Sequence, residues 1–201
     1  MTTTLPPPAL APAAPHASPP NPLAHLTLVA ATVLAGLAAG FFWTYEASVT
    51  RGLAVVDDTT YVHTFQAINN TIRNPVFGIV FFGTLPALLL AAGTNWRTSS
   101  PARRWLLASA PALFLCCMAI TGTQNVPLNN ELGEVTVTAT NGEAASAARA
   151  DFEDVWNQHN LVRTVAAIAS FAAVVGATSL GRDRRAGSAE TAAALDLDQT
   201  G

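Results

Sequence analysis

The sequence predicts an all-α integral membrane protein: a four-helix bundle with helical extensions on its extracytoplasmic side and disordered termini. Three observations carry that prediction. Half of the 201 residues are hydrophobic and only 11% are charged, against about 25% in ordinary soluble domains. The apolar residues gather into four segments, Leu26–Ser48, Val76–Thr94, Trp105–Thr123 and Leu161–Leu180. Each is close to the ~20 residues that cross ~30 Å of hydrocarbon as a helix, and none carries the polar face of a soluble amphipathic helix.

Residues 1–24 are rich in Pro and Ala and contain no Lys or Arg. A secretory signal needs a basic stretch before its apolar core, so this segment reads as a disordered, partly polyproline II tail. Residues 25–181 form the expected transmembrane domain, and residues 182–201 a solvated, disordered tail. In the first segment Gly36 and Gly40 stand in G-x-x-x-G spacing, which permits close helix contact. Pro86 and Pro111 interrupt the second and third segments, where neighbouring helices can cover the freed carbonyls. Cys116 and Cys117 are the only cysteines; adjacent and within an apolar run, they read as buried thiols rather than as a disulfide framework.

Charge orients the expected bundle. All ten basic residues are Arg, which with the abundant Ala fits a GC-rich bacterial genome. Arg97, Arg103 and Arg104 lie in the second connection and Arg182, Arg184 and Arg185 in the C-terminal tail; Arg51, Arg73, Arg149 and Arg163 fall on the other side. The excess places both termini in the cytoplasm and the first and third connections outside. A net charge of −3 gives no footprint for nucleic acid; the lipid bilayer is the expected partner.

The outer connections hold the polar chemistry. From Thr59 the first one is helical in pattern, with Asp57 and Asp58 at its N-terminus. At ~100° per residue, His63, Gln66, Asn69, Asn70 and Arg73 share an arc of about 120°, and amides outnumber charges in it. The third connection opens with "NVPLNNEL" (Asn125–Leu132) and continues as an irregular excursion from Gly133 to Gly142. Beyond it, Trp156, His159, Asn160 and Arg163 share an arc of about 100°. Arg163 stands at the start of an apolar run, where an unpaired cation facing lipid costs several kcal/mol. It either snorkels to the headgroups or turns inward against Glu46, Glu131 or the amides. The inward arrangement is the expected one, with a Glu46–Arg163 ion pair satisfying both charges. Amides suit such a place because each donates and accepts without carrying net charge. They can satisfy irregular backbone or hold a polar ligand head.

Together, Phe41 and Phe42 on the first helix, "QAIN" at Gln66–Asn69, "NVPLNNEL" and "W-x-x-x-N-x-x-R-T" from Trp156 to Thr164 resemble the anthrone oxygenase-like family of four-helix membrane proteins, over roughly Leu26 to Leu180. The resemblance marks Gln66, Asn69, Asn125, Pro127, Asn129, Trp156, Asn160 and Arg163 as family-type positions. His159 departs from the pattern, where an aromatic residue is more usual. In some fungal pathway members the resemblance implies oxidation of an anthrone methylene to an anthraquinone carbonyl.

On that reading the chain is an oxidoreductase acting on a hydrophobic aromatic or quinone-like small molecule that enters from the bilayer. The expected catalytic residues are His63 or His159 as base and Arg163 as donor to the enolate. Gln66, Asn69, Asn125, Asn129, Trp156 and Asn160 are the expected substrate-binding residues. No flavin, haem or nicotinamide motif is present, so no cofactor is expected; a metal would have to draw on His63, His159 and Glu46. The alternative is a non-catalytic membrane protein whose polar cluster is structural or binds a lipid or partner.

Overall fold

The computed structural model describes residues 21–138 and 142–199. Its regular structure is helical throughout: α1 (Pro22–Leu53), α2 (Asp58–Thr71), α3 (Pro75–Asn95), α4 (Pro101–Glu134) and α5 (Gly142–Gln199). Four of these, α1, α3, α4 and α5 as far as Gly181, are long and apolar enough to cross a membrane. The chain is a multi-pass, all-α membrane bundle.

Three of the four long helices begin with the same local device. Asn21, Asn74 and Ser100 each accept a hydrogen bond from a backbone N–H of the first turn, and Pro22, Pro75 and Pro101 follow directly. A polar N-cap satisfies an orphan donor, and Pro at the next position loses no hydrogen bond. Asp57 caps α2 in the same way through Thr60. Thr60 donates both its N–H and its hydroxyl, and the two hold the Asp57 carboxyl below its ordinary range.

The helices close into a ring in which α1 and α4 each pack against α3 and α5. Small residues let them approach. Ala31, Ala35, Ala38, Ala110, Ala167 and Ala177 are buried around Phe42, Leu88, Leu107 and Phe114, as expected where van der Waals packing replaces the hydrophobic effect. Gly36 takes part, since a Cβ there would stand 3.1 Å from the Phe171 ring, whereas Gly40 faces open space. The expected glycine pair therefore works through one member only. Leu26, Val33, Leu37, Ile79, Phe82, Leu89 and Val165 point outward, an apolar surface suited to lipid. Trp43 is exposed toward one end and Trp96 and Trp105 toward the other, the placement of interfacial aromatic anchors.

The helices outrun their apolar segments, chiefly at the end away from the termini. There α1, α4 and the start of α5 extend beyond the segments and meet α2. Tyr61, Val62, Phe65, Leu132, Phe152 and Trp156 form a second core, with Phe65 edge-on to Trp156 at 4.9 Å. Arg149 clamps this extension. It pairs with Asp58 at 3.1 Å and Glu153 at 2.7 Å, donates to the carbonyls of Ala54 and Val56, and covers the Tyr61 ring. Burial pushes the Tyr61 hydroxyl above its ordinary range. Residues 135–138 of the expected excursion carry no regular structure, although Val137 is buried. Residues 139–141 and the expected N-terminal tail through Pro20 lie outside the described residues. The backbone of α5 continues to Gln199, beyond the boundary placed at 181 from the sequence.

The terminal end is closed by Arg103, which is only 8% exposed. Its Nε donates to the Ala177 carbonyl at 2.7 Å, Nη1 to Ser99 Oγ at 3.1 Å and Nη2 to Asn95 Oδ1 at 3.1 Å. Asn95 passes the connection on by donating to the Ala24 carbonyl. One guanidinium thus ties α3, α4 and α5 together, and through Asn95 also α1. A Cβ at Gly181 would lie 2.8 Å from Arg103 Nη2, so only glycine fits there without displacing the guanidinium.

Candidate functional site

Two helical irregularities shape the opposite end. α1 widens into a π turn at Tyr45–Val49 and α4 into another at Thr121–Asn125. In α4 the cause is legible: Pro127 brings no N–H and its ring crowds the preceding turn. The Val126 N–H bonds instead to the Thr121 carbonyl five residues back. In α1 the Thr50 N–H and hydroxyl both donate to the Tyr45 carbonyl. Such bulges re-aim side chains and are frequent at functional sites. Here they bring Tyr45 and Glu46 from α1, and Thr121 and Asn125 from α4, against α5.

Between them lies Arg163 on α5, 6% exposed. Its Nε and Nη2 both donate to Asn160 Oδ1, at 3.2 and 3.0 Å. Asn160 Nδ2 in turn donates to Glu46 Oε2 at 2.9 Å. The direct Glu46–Arg163 ion pair expected from the sequence is therefore replaced by a relay. Asn160, one turn before Arg163 on the same face, occupies the space between cation and carboxylate. Glu131, the other carboxylate considered, is exposed elsewhere. The guanidinium lies over the Phe42 and Trp156 rings, at 4.9 and 5.0 Å, a favourable cation–π geometry. Its Nη1 donates no hydrogen bond among the described residues.

Arg163 lines a cleft of about 460 Å³, within the range of small-molecule sites. Phe41, Phe77, Phe81 and Trp156 are among its walls, and Asn69, Arg73, Asn129 and Thr121 supply polar atoms. Asn129 is anchored, accepting from Trp156 Nε1 at 2.7 Å. Asn69 is not: it is 8% exposed, yet its Nδ2 has no hydrogen-bond partner. Two further cavities share walls with the cleft. An apolar groove between α1 and α3, about 500 Å³, shares Phe41, Phe42, Phe77 and Phe81. A polar pocket of about 430 Å³ shares Asn69, Arg73, Asn129 and Asn130.

Of the residues expected from the sequence, Asn69, Asn129, Trp156 and Arg163 line the cleft, and Asn160 supports it from behind. Gln66 does not reach it. Its Nε2 donates to the Leu132 and Val135 carbonyls at 2.8 and 2.9 Å, closing the end of α4. Asn125 is fully buried, donates to the Trp156 carbonyl at 3.4 Å and leaves its Oδ1 unpartnered; it joins α4 to α5 rather than facing the cleft. The two candidate bases do not meet the cleft either. His63 is exposed, one turn before α2 meets the end of α4 at Gln66, and His159 is half-buried; neither lines the cleft. Among the described residues no group of His, Cys, Asp and Glu side chains assembles that could hold a metal ion, so His63, His159 and Glu46 do not converge. Tyr45, Arg73 and the phenylalanine walls were not among the expected binding residues. The π turn that brings in Tyr45 depends on a widening that ordinary helical periodicity does not register.

No curated protein matches the chain, and no solved structure does. A family model described as anthrone oxygenase matches residues 65–173, more than half of the chain. The matched stretch contains Asn69, Asn125, Asn129, Trp156, Asn160 and Arg163, and leaves Tyr45 and Glu46 outside. The chain belongs to the anthrone oxygenase family.

Proposed function

We propose that the chain is an oxygenase that converts the ring methylene of an anthrone-type polycyclic aromatic to a carbonyl. The balance is one O2 per methylene: two C–H bonds break, one oxygen atom becomes the carbonyl and the other leaves as water. The observation that carries this reading is the opposition, in one cleft, of an open guanidinium edge and aromatic walls. Loss of a methylene proton from an anthrone leaves an anion delocalised onto the ring oxygen. Arg163, held in place by Asn160, is suited to receive that oxygen in a desolvated site, where such a donor is worth most. Phe41, Phe77, Phe81 and Trp156 suit the flat ring system. The cleft lining contains no imidazole or carboxylate. The chain is therefore assigned the stabilisation of the anion, with the proton passing to water, and not the general-base role expected of His63 or His159.

The apolar groove between α1 and α3 supports entry from the bilayer, since a lipophilic ring would pass from lipid to cleft along phenylalanine walls. We place both termini in the cytoplasm of a bacterial cell, with the cleft toward the outer face of the cell membrane. Arg97, Arg104, Arg182, Arg184 and Arg185 support this even with the buried Arg103 and Arg163 left out of the bias. Reporter fusions at the C-terminus and in the Arg97–Arg104 turn should both read cytoplasmic; an external reading at either reverses the orientation.

The activity is tested with purified protein in nanodiscs, anthrone and an oxygen electrode. The expected result is anthraquinone formation with one O2 consumed per ring. Arg163→Lys, which lacks the planar fork, should slow it by about a hundredfold, as removal of one preorganised donor does. A rate equal to that of protein-free nanodiscs overturns the oxygenase reading. Anthrone binding without oxygen uptake leaves the alternative, a non-catalytic aromatic-binding membrane protein.

A further inference from the structure

We infer that the polar pocket beyond the cleft is a subsite for a carboxylate carried by the aromatic substrate. The inference rests on the oxygenase reading for the position of the ring, and it adds a ligand class and an orientation. Asn69 belongs to both cavities. A buried amide N–H without a partner forfeits about 1–3 kcal/mol, which a ligand oxygen would recover. Arg73 also belongs to both. Its Nη2 donates to Asn130 Oδ1 at 2.9 Å, and its Nε and Nη1 donate no hydrogen bond among the described residues. Neither Arg149–Asp58 nor Arg149–Glu153, the ion pairs among the described residues, includes it.

A fork of guanidinium donors beside an unpartnered amide donor is the complement of a carboxylate, which accepts through two oxygens. A neutral hydroxyl would leave most of these donors unused. Gln66, also in the pocket, has its Nε2 engaged by backbone. Glu134 is the one like charge in the lining; it is exposed, where water and salt weaken its repulsion. With its acid group at Asn69 and Arg73, a flat ring would extend between the phenylalanine walls with its far edge toward Arg163. The two cations would then read opposite edges of one molecule, and the apolar groove would admit only the uncharged flank.

The test is a binding cycle in nanodiscs of neutral phosphatidylcholine, with anthracene-2-carboxylate and 2-methylanthracene as probes. Each is titrated against the parent, Asn69→Leu and Arg73→Gln. Comparison within each probe removes its own partitioning into lipid, and the difference between probes isolates the carboxylate. Both variants should weaken the carboxylate probe by about tenfold or more, as loss of a hydrogen bond to a charged group does. The methyl probe should be left within about twofold. Arg73 is exposed, so Arg73→Gln keeps the experiment decisive if Asn69→Leu fails to fold. Equal losses for both probes, no loss for either, or failure of the carboxylate probe to bind the parent overturns the subsite. If the carboxylate probe behaves as expected while anthrone is not oxidised, the subsite stands and the oxygenase reading falls.

Discussion

Arg163 and Arg103 are both guanidiniums buried in an apolar bundle, one toward each end, and they are used differently. Arg103 points all three nitrogens at acceptors from α5, the α3–α4 turn and α3: the Ala177 carbonyl, Ser99 and Asn95. Arg163 directs two nitrogens at the single oxygen of Asn160, rests on two aromatic rings and turns its remaining edge to a cleft. What separates a structural cation from a functional one is therefore where its donors end, not how deeply it is buried. Saturated donors hold helices together, and an open donor beside a cavity is available to a ligand.

That comparison can be broken by substitution. The largest effect on stability is expected from Arg103→Ala, which strands several buried polar groups at the terminal end of the bundle. A loss of about 3 kcal/mol follows from roughly 1–3 kcal/mol per unsatisfied group, read as a fall in melting temperature in detergent. Asn160→Leu comes next, at about 2 kcal/mol. It leaves Glu46 and Arg163 without their shared partner, and anthrone binding should fall with it although Arg163 itself is intact. Gly181→Ala pushes a methyl into the Arg103 guanidinium and should lower stability by about 1–2 kcal/mol, as overpacking does, with no effect on the cleft. If Gly181→Ala impaired ligand binding and Asn160→Leu did not, the division of labour would be reversed.

The smallest effect belongs to neither cluster. Asp57 caps the helix that carries Asn69 and Arg73, and its carboxyl is held below the ordinary range by Thr60. A group lowered in the folded state contributes its stabilisation above its unfolded pKa and loses it as pH falls through the folded value. The melting temperatures of the parent and Asp57→Ala should therefore differ at neutral pH and converge in acid. A gap that persists below the carboxylate range would show that the cap does not act through its charge.

Much of this was legible in the sequence. Four apolar runs of spanning length cannot pack as a soluble bundle, so the class followed from composition and length alone. The cluster around Arg163 was legible because Arg163 interrupts an apolar run and Asn160 lies one turn before it. Arg103 was not legible: beside Arg97 and Arg104 it reads as loop charge, and only the tertiary approach of Ala177 and Gly181 makes it a lock. Arg149 was hidden in the same way, because its partners Asp58, Ala54 and Val56 lie about ninety residues earlier. His63 and His159 belong to the polar arcs but do not line the cleft. A polar arc of about 120° is wider than the strip that faces a neighbour, and His63 falls beyond the point where that neighbour begins. The direct Glu46–Arg163 pair failed for a related reason. Charge complementarity predicts that two groups meet, not that a neutral amide stands between them.

Ligand-induced thermal stabilisation tests the central claim most directly, measured with anthrone on the parent, Arg103→Lys and Arg163→Lys in one nanodisc preparation. Arg103→Lys should lower the melting temperature of the free protein and keep the ligand-induced rise. Arg163→Lys should leave the free protein near the parent and lose that rise. A ligand-induced rise that survives Arg163→Lys and disappears in Arg103→Lys would contradict the account.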